Sequence, residues 1–324
     1  MKKTSIISRK IFSLLLMSLV FSIFSFSSKA NPFINDEGKA PIIGRWDLTV
    51  HYPSKDYPSW LEVELSGNKT LVGRFVAAGG SARAISHVFF ADNKFHFSIP
   101  PQWEKEGNDI VVEGTLQGDS LTGTITSTDG KVSNWSGMRA PLLKRQGEPV
   151  WGEPMKLFTG VDMSGWHPSG TTNQWIVVNG VMTSPHSGSN IISDKTFTDF
   201  KLHIEFRYPK ESNSGVYLRG RYEVQIEDDK GMEPNSHLLG GVYGFLTPNE
   251  MAAKDAGEWQ TYDITLYGRL VTVEVNGKVV ICNQLIPGIT GGAINSKEGE
   301  PGPIYLQGDH GPIEFRNIII TPAK

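Results

Sequence analysis

The sequence predicts an all-β protein, and three observations carry that prediction. Apolar and polar residues alternate over short runs along most of the chain, which is the period of a half-buried strand. Turn residues separate those runs. Among them are Asn179-Gly180 and Asn276-Gly277, each set between two apolar runs. Asn-Gly favours the two-residue hairpin because both positions need positive φ. No long stretch repeats its apolar residues at helical period, while aromatics reach 10% in a chain with 35 glycines. That mixture of strand formers and turn residues suits an all-β chain.

The N-terminal residues stand apart. Lys2, Lys3, Arg9 and Lys10 flank the start of an apolar run from Ile11 to Phe26, which ends at Ser28-Lys29-Ala30. A basic stretch, an apolar run and a small-x-small site make a cleaved signal peptide. Residues 1–30 are therefore expected to direct export, to the periplasm or beyond. The run is shorter than the roughly 20 apolar residues of a membrane span, serines interrupt it, and no Cys follows it to carry a lipid. The mature chain is expected to hold no membrane span. Loss of the basic residues in this segment moves the formal charge from −3 to −8. That argues against nucleic acid or an anionic membrane as partner. Cys282 is the only cysteine, so neither an internal disulfide nor a CxxC metal pair is available. It ends the strand-like run Val279-Val-Ile-Cys282 and reads as a small core residue.

Residues 41–141 read as a small all-β domain. Strand character appears at 46–52, 60–65, 71–77, 84–90, 94–99, 110–116, 120–126 and 135–139. The joints carry turn chemistry, as in Ser66-Gly67-Asn68, Asp92-Asn93 and Asp129-Gly130. Eight strands in succession, opened by Gly44-Arg-Trp46, resemble a lipocalin-like β-barrel, with a compact β-sandwich as the alternative. Residues 142–154, with two prolines, two glycines and several charges, read as a linker. Residues 155–324 form the second unit. Besides its two Asn-Gly hairpins, strands are expected at 201–208, 216–219, 222–227, 241–245, 260–267, 304–307 and 313–321, with one short helix within 247–257. Two antiparallel sheets packed face to face would bury their apolar sides.

The candidate site comes from the polar sides of those strands. Val216 and Leu218 alternate with Tyr217 and Arg219; Tyr222, Val224 and Ile226 alternate with Glu223, Gln225 and Glu227. A face that combines Arg, Glu, Gln and Tyr suits sugar hydroxyls better than it suits water alone. Glu205 in Leu202-His-Ile-Glu-Phe-Arg207, and Tyr305 and Gln307 in Ile304-Tyr-Leu-Gln307, extend the face if the strands are neighbours. Gly308-Asp309-His310-Gly311 then forms a turn at the strand end. The predicted set is Glu205, Arg219, Glu223, Gln225 and Gln307, rimmed by Tyr217, Tyr305 and His310, with Asp309 beside it.

Residues 157–321 resemble the 3-keto-disaccharide hydrolase domain family. The motifs are Leu157-Phe-Thr-Gly-Val-Asp-Met-Ser-Gly-Trp166, Asn213-Ser-Gly-Val-Tyr-Leu-Arg219, Tyr222-Glu-Val-Gln-Ile-Glu-Asp228, Gly241-Val-Tyr243, Gly257-Glu-Trp259 and Gly302-Pro-Ile-Tyr-Leu-Gln-Gly-Asp-His-Gly311. Gln260 stands where Asn is expected after Trp259. The resemblance implies a concanavalin-A-like lectin/glucanase jelly roll that cleaves 3-keto-glycosides. A ketone at C3 acidifies the C2 proton. A base removes it, the enolate expels the aglycone from C1, and water adds back. This route needs a base, an acid for the leaving oxygen and a donor for the enolate. Arg219 is the candidate enolate donor, because guanidinium presents fixed N–H groups. Glu223 and His310 are acid and base in either order. Tyr217, Gln225 and Gln307 would orient hydroxyls, with Glu205, Asp309 and Tyr305 as further binding residues. An upstream enzyme that oxidises the sugar is implied.

Two other functions fit the same sequence. An ordinary glycoside hydrolase would use Glu223 and Glu227 on one strand face, although Gln225 takes the place of the middle Asp of laminarinase-like glucanases. A non-catalytic carbohydrate-binding module would depend more on aromatics than on carboxylates. No cofactor motif is present. Asp228, Asp229 and Asp309 keep a divalent cation open, without diagnostic ligand spacing.

Overall fold

The computed structural model describes residues 40–103 and 107–324. The signal segment read at 1–30 lies outside the described residues. Alternation along the first strands winds them around a core of their own. They are β1 (Gly44–His51), β2 (Asp56–Ser66), β3 (Thr70–Val76), β4 (Arg83–Ile85), β5 (Phe89–Ala91), β6 (Lys94–Ile99), β7 (Ile110–Gln117), β8 (Ser120–Thr126) and β9 (Val132–Arg139). All belong to one antiparallel sheet, ordered β4-β3-β2-β1-β9-β8-β7-β6-β5. Near the two edges β4 lies against β6, so the sheet curls as a barrel rather than splitting into a sandwich. Trp46, Leu48 and Val50 of β1 and Phe95, Phe97 and Ile99 of β6 point inward. Phe75 and Phe97 meet across the interior with ring centroids 5.4 Å apart. The single strand expected at 84–90 is two, β4 and β5. Val88 turns into the core between them, and its N–H donates to Leu71 O at 2.8 Å.

The remaining strands are β10 (Met155–Lys156), β11 (Trp166–Pro168), β12 (Ile176–Val178), β13 (Val181–Ser184), β14 (Ile191–Phe197), β15 (Phe200–Arg207), β16 (Asn213–Leu218), β17 (Tyr222–Glu227), β18 (Gln260–Tyr267), β19 (Leu270–Val275), β20 (Lys278–Leu285), β21 (Gly302–Leu306) and β22 (Ile313–Pro322). A larger sheet runs β12-β13-β22-β15-β18-β19-β20, with β10 on β22; a smaller one runs β11-β14-β21-β16-β17. They form an all-β jelly-roll sandwich. Leu202, Ile204 and Phe206 of β15 share the core with Val216 and Leu218 of β16 and Tyr222, Val224 and Ile226 of β17. Burying each such side chain contributes about 1.5–3 kcal/mol. Asn179-Gly180 and Asn276-Gly277 close their hairpins with φ of 51° and 80°, and 53° and 82°, as type I′ turns require.

Three expectations are corrected. Residues 247–257 hold no helix. Their polar backbone groups are taken by side chains instead: Lys254 N–H donates to Gln260 Oε1, and Asn276 Nδ2 donates to Ala252 O. Residues 241–245 form no strand; Val242 makes only isolated bridges, to Val224 and Leu246. Cys282 is exposed. Register shifts between β19 and β20 let Val280 and Ile281 both turn inward, and Cys282 falls on the solvent side.

The barrel and the jelly roll are joined by close contacts. Trp60 leaves the barrel side of β2 and enters the jelly-roll core, edge-on to Phe245 at 5.1 Å. Gly288 lies against its indole where a side chain would not fit. Residues 142–154, read as a linker, are held along the jelly roll. Arg145 Nε donates to Asp199 Oδ2 at 2.6 Å, and Lys201 lies over the Trp151 ring. Buried Asp47 of β1 sits beside Glu298, which pairs with Arg269. Burial, then the neighbouring Glu298 carboxylate, pushes Asp47 from 3.8 up to about 9, against Arg269 and Arg221. The folded protein thus holds this proton more tightly than the unfolded chain. Its stabilising contribution is full below about pH 4 and is lost as pH rises toward about 9. Thermal melts should show Tm falling between about pH 5 and 9, and Asp47→Asn should flatten that fall. An unchanged slope would contradict the assignment.

Candidate functional site

The smaller sheet has one side in the core, and its other side carries the polar residues. Register arranges them in rows across three strands. Tyr305 of β21 pairs with Tyr217 of β16, which pairs with Glu223 of β17. In the next row Gln307 N–H donates to Gly215 O at 3.0 Å, and Gly215 pairs with Gln225. Strand alternation therefore places Tyr305, Tyr217 and Glu223 beside Gln307, Gly215 and Gln225. Gly215 leaves room at the centre for the Glu223 side chain, on which a Cβ there would press.

This face is only partly open to water. Loops at 241–244 and 290–292 and the barrel segments at 79–80 and 103 surround it, leaving a pocket of about 450 Å3. That lies within the roughly 300–1,000 Å3 of small-molecule sites. Its walls include Tyr217, Glu223, Gln225, Tyr305, Gln307, Asp309 and His310, together with Asn213 and Tyr243. Glu223 is only 4% exposed. A larger hollow of about 630 Å3 lies under residues 142–149, but Glu148 is the single carboxylate on its walls.

Burial sets the chemistry. It pushes the Glu223 carboxyl from 4.5 up to about 8; the Tyr217 hydroxyl and His310 pull against it, and Asp309 and Glu227 push with it. Glu223 is therefore a carboxylic acid at neutral pH, able to donate. His310 Nδ1 lies 2.6 Å from Asp309 Oδ1. That hydrogen bond raises the imidazole above its usual range. For Asp309 burial pushes upward, but its bonds to His310 and Asn190 prevail and hold it low. Tyr217 Oη donates to Gly291 O at 3.0 Å. Tyr305 Oη accepts from Asn190 Nδ2 at 2.5 Å, which leaves its own hydrogen available. Burial keeps both phenols protonated. The side-chain oxygens of Gln225 and Gln307 are buried and have no partner among the described residues. An orphaned buried acceptor is costly unless a donor meets it, and ligand hydroxyls are such donors.

Two predicted members are elsewhere. β16 ends at Leu218, and Arg219 sits in the turn to β17 with φ +53°. The turn swings it out of strand alternation. Its Nη2 donates to Tyr222 Oη at 3.0 Å and Gly268 O at 2.9 Å, within the core and away from the pocket. Glu205 lies on β15, in the larger sheet. The outer sides of two packed sheets point in opposite directions, so it cannot join the set. It accepts from Arg316 Nε and Asn317 Nδ2, each at 2.6 Å.

Sequence reading passed over Asn190. Its Oδ1 accepts from Gly308 N–H at 2.6 Å and Asp309 N–H at 3.1 Å, and its Nδ2 also donates to Asp309 Oδ2 at 3.2 Å. It orients Tyr305 and the Asp309–His310 turn together. Nothing in Gly188-Ser-Asn190 distinguishes it from a loop residue. Tyr243, in Gly241-Val-Tyr243, also lines the pocket. Among the described residues, no group of three His, Cys, Asp or Glu side chains is arranged to hold a metal.

Comparison with known proteins places residues 153–321 in the 3-keto-alpha-glucoside-1,2-lyase-like domain family. No curated protein matches the chain. Among solved structures, a presumed glycosyl hydrolase of Parabacteroides distasonis is 30% identical, covering 55% of this chain and 92% of its own at a TM-score of 0.45. A second from that organism is 25% identical, covering 52% and 98% at 0.42. The carbohydrate-binding module CBM66 of Bacillus subtilis is 13% identical, covering 48% and 94% at 0.36.

Urea unfolding should show Gly215→Ala destabilised by about 1–3 kcal/mol, the usual range for overpacking. Asn190→Ala should lose a similar amount, since the buried Gly308 N–H and the partly buried Asp309 N–H lose their acceptor. Wild-type midpoints for both would contradict these placements.

Proposed function

This chain belongs to the 3-keto-alpha-glucoside-1,2-lyase-like domain family, and from that premise we propose that it cleaves 3-keto-glycosides by elimination followed by hydration. The observation that carries the reading is a buried Glu223 carboxylic acid sharing one pocket with the Asp309–His310 pair. An acid and a base facing one cavity are the two groups that β-elimination requires.

His310 Nε2 takes the proton from C2 while Asp309 steadies Nδ1. The electrons move into the enolate of the C3 ketone. The C1–O bond then breaks, the pair leaves on the aglycone oxygen, and Glu223 gives that oxygen its proton. Water next adds across C1 and C2. The Glu223 carboxylate takes the proton from the water as its oxygen joins C1, and His310 returns a proton to C2. The sum is hydrolysis, with both residues restored.

The enolate donor assigned from sequence to Arg219 passes to Tyr305, whose hydroxyl already accepts from Asn190 and so directs its hydrogen elsewhere. Gln225 and Gln307 accept sugar hydroxyls through their unpartnered oxygens. The keto substrate would be made by a sugar-oxidising enzyme. The basic-apolar-small pattern of residues 1–30 supports action outside the cytoplasm.

The test is turnover of a 3-keto-glucoside beside the same unoxidised glucoside. Cleavage of the keto form alone is expected; equal cleavage points to an ordinary glycosidase, and binding without turnover to a carbohydrate-binding module. Glu223→Gln should lower kcat/KM at least about 100-fold, as loss of a general acid does. Because the acid form of Glu223 is needed, kcat/KM should fall as pH rises through about 8. Full activity in Glu223→Gln would remove the mechanism.

A further inference from the structure

The family match begins at residue 153, yet part of the pocket wall comes from before it. Gly79, Gly80 and Trp103 belong to the barrel. Their position is fixed by specific contacts. Gly80 has φ +83°, and its backbone meets Gly291 of the jelly roll, where neither residue has room for a side chain. Gln102 Nε2 donates to Ser81 Oγ at 3.0 Å. The Trp103 indole covers Gly80 so closely that a Cβ on that glycine would strike the ring. The loop after β6 is thereby tied to the loop after β3, and both are tied to the wall of the pocket.

Exposure runs from one end of this pocket to the other. Glu223 is 4% exposed and Trp103 is 64% exposed. The acid is deep, and the indole stands at the mouth. The deep end offers amide oxygens to hydroxyls, and the mouth offers a flat apolar face. A pyranose presents hydroxyls at its edge and C–H groups on its faces, so the two ends suit different sides of the same chemistry.

We propose that Trp103 is a specificity-determining residue that stacks against the departing sugar ring of a 3-keto-disaccharide. The inference rests on the cleavage reading above. The keto ring lies over Gly215, where C1 and C2 come within reach of Glu223 and His310. The group on C1 then points to the mouth, and its pyranose face stacks on the indole. A segment outside the family domain thus selects the leaving group, while the family residues carry the chemistry.

The experiment compares kcat/KM for a 3-keto-disaccharide and for methyl 3-keto-glucoside, using the purified chain, Trp103→Ala and Trp103→Phe. Trp103→Ala should lower the ratio of disaccharide to methyl glycoside about tenfold, the scale of one aromatic contact. Trp103→Phe should restore most of it. An unchanged ratio overturns the proposal. If the wild type cleaves neither substrate, the cleavage reading fails separately, and calorimetry with the unoxidised disaccharide decides the role of Trp103. A Kd about tenfold weaker in Trp103→Ala supports the platform; equal affinities, or no binding by the wild type, overturn it.

Discussion

Trp60 grows from the barrel but lies in the core of the jelly roll, against Phe245 and over the bare backbone of Gly288. Alternation along β2 makes this possible: Leu61 and Val63 point into the barrel, so Trp60 must point out of it. A fully buried indole ranks among the largest single contributions to packing. Nearby, Gly244 meets Ser81 and Gly291 meets Gly80, so the two units approach through positions without side chains. Once this contact is made, the loops at 79–81 and 103 have to lie beside the polar side of the small sheet. The pocket follows from the docking.

Enclosure changes what the polar side is. On an open sheet, Glu223, Gln225 and Gln307 would be wet and ordinary. Covered, they occupy a medium where charge is expensive, and Glu223 keeps its proton to about pH 8. The unpartnered oxygens of Gln225 and Gln307 are a cost that hydroxyl donors entering the pocket would offset. His310 sits nearer the mouth and owes its basicity to Asp309. Asn190 holds that turn and the Tyr305 hydroxyl with one side chain. The pocket thus brings together an acid made by burial and a base made by a hydrogen bond.

Much of this was legible in the chain, for a physical reason. Strand alternation is a property of the backbone, so the pairing of Tyr217, Glu223 and Gln225 against Val216, Val224 and Ile226 could be read locally. The Asn-Gly hairpins, the barrel strands and the Asp309–His310 turn were legible in the same way. Errors arose where alternation stopped or depended on a neighbour. Arg219 belongs to a turn with positive φ, not to a strand. Cys282 follows a register shift that only its partner strand reveals. Residues 247–257 take the side chains of Gln260 and Asn276 as partners in place of a helix.

The sequence alone determined which residues share a side of each strand, because that depends on the pleat and on nothing further away. It could not determine which strands share a sheet. That decision removed Glu205, whose strand packs on the far side of the core, and it brought Tyr305 and Gln307 beside Gly215. Only tertiary structure placed Trp103 and Gly80 over the jelly roll, since contact between segments some two hundred residues apart leaves no periodic mark in either. The acidity of Glu223 belongs to the same class. A carboxyl group has its ordinary affinity for a proton until the fold removes water from around it.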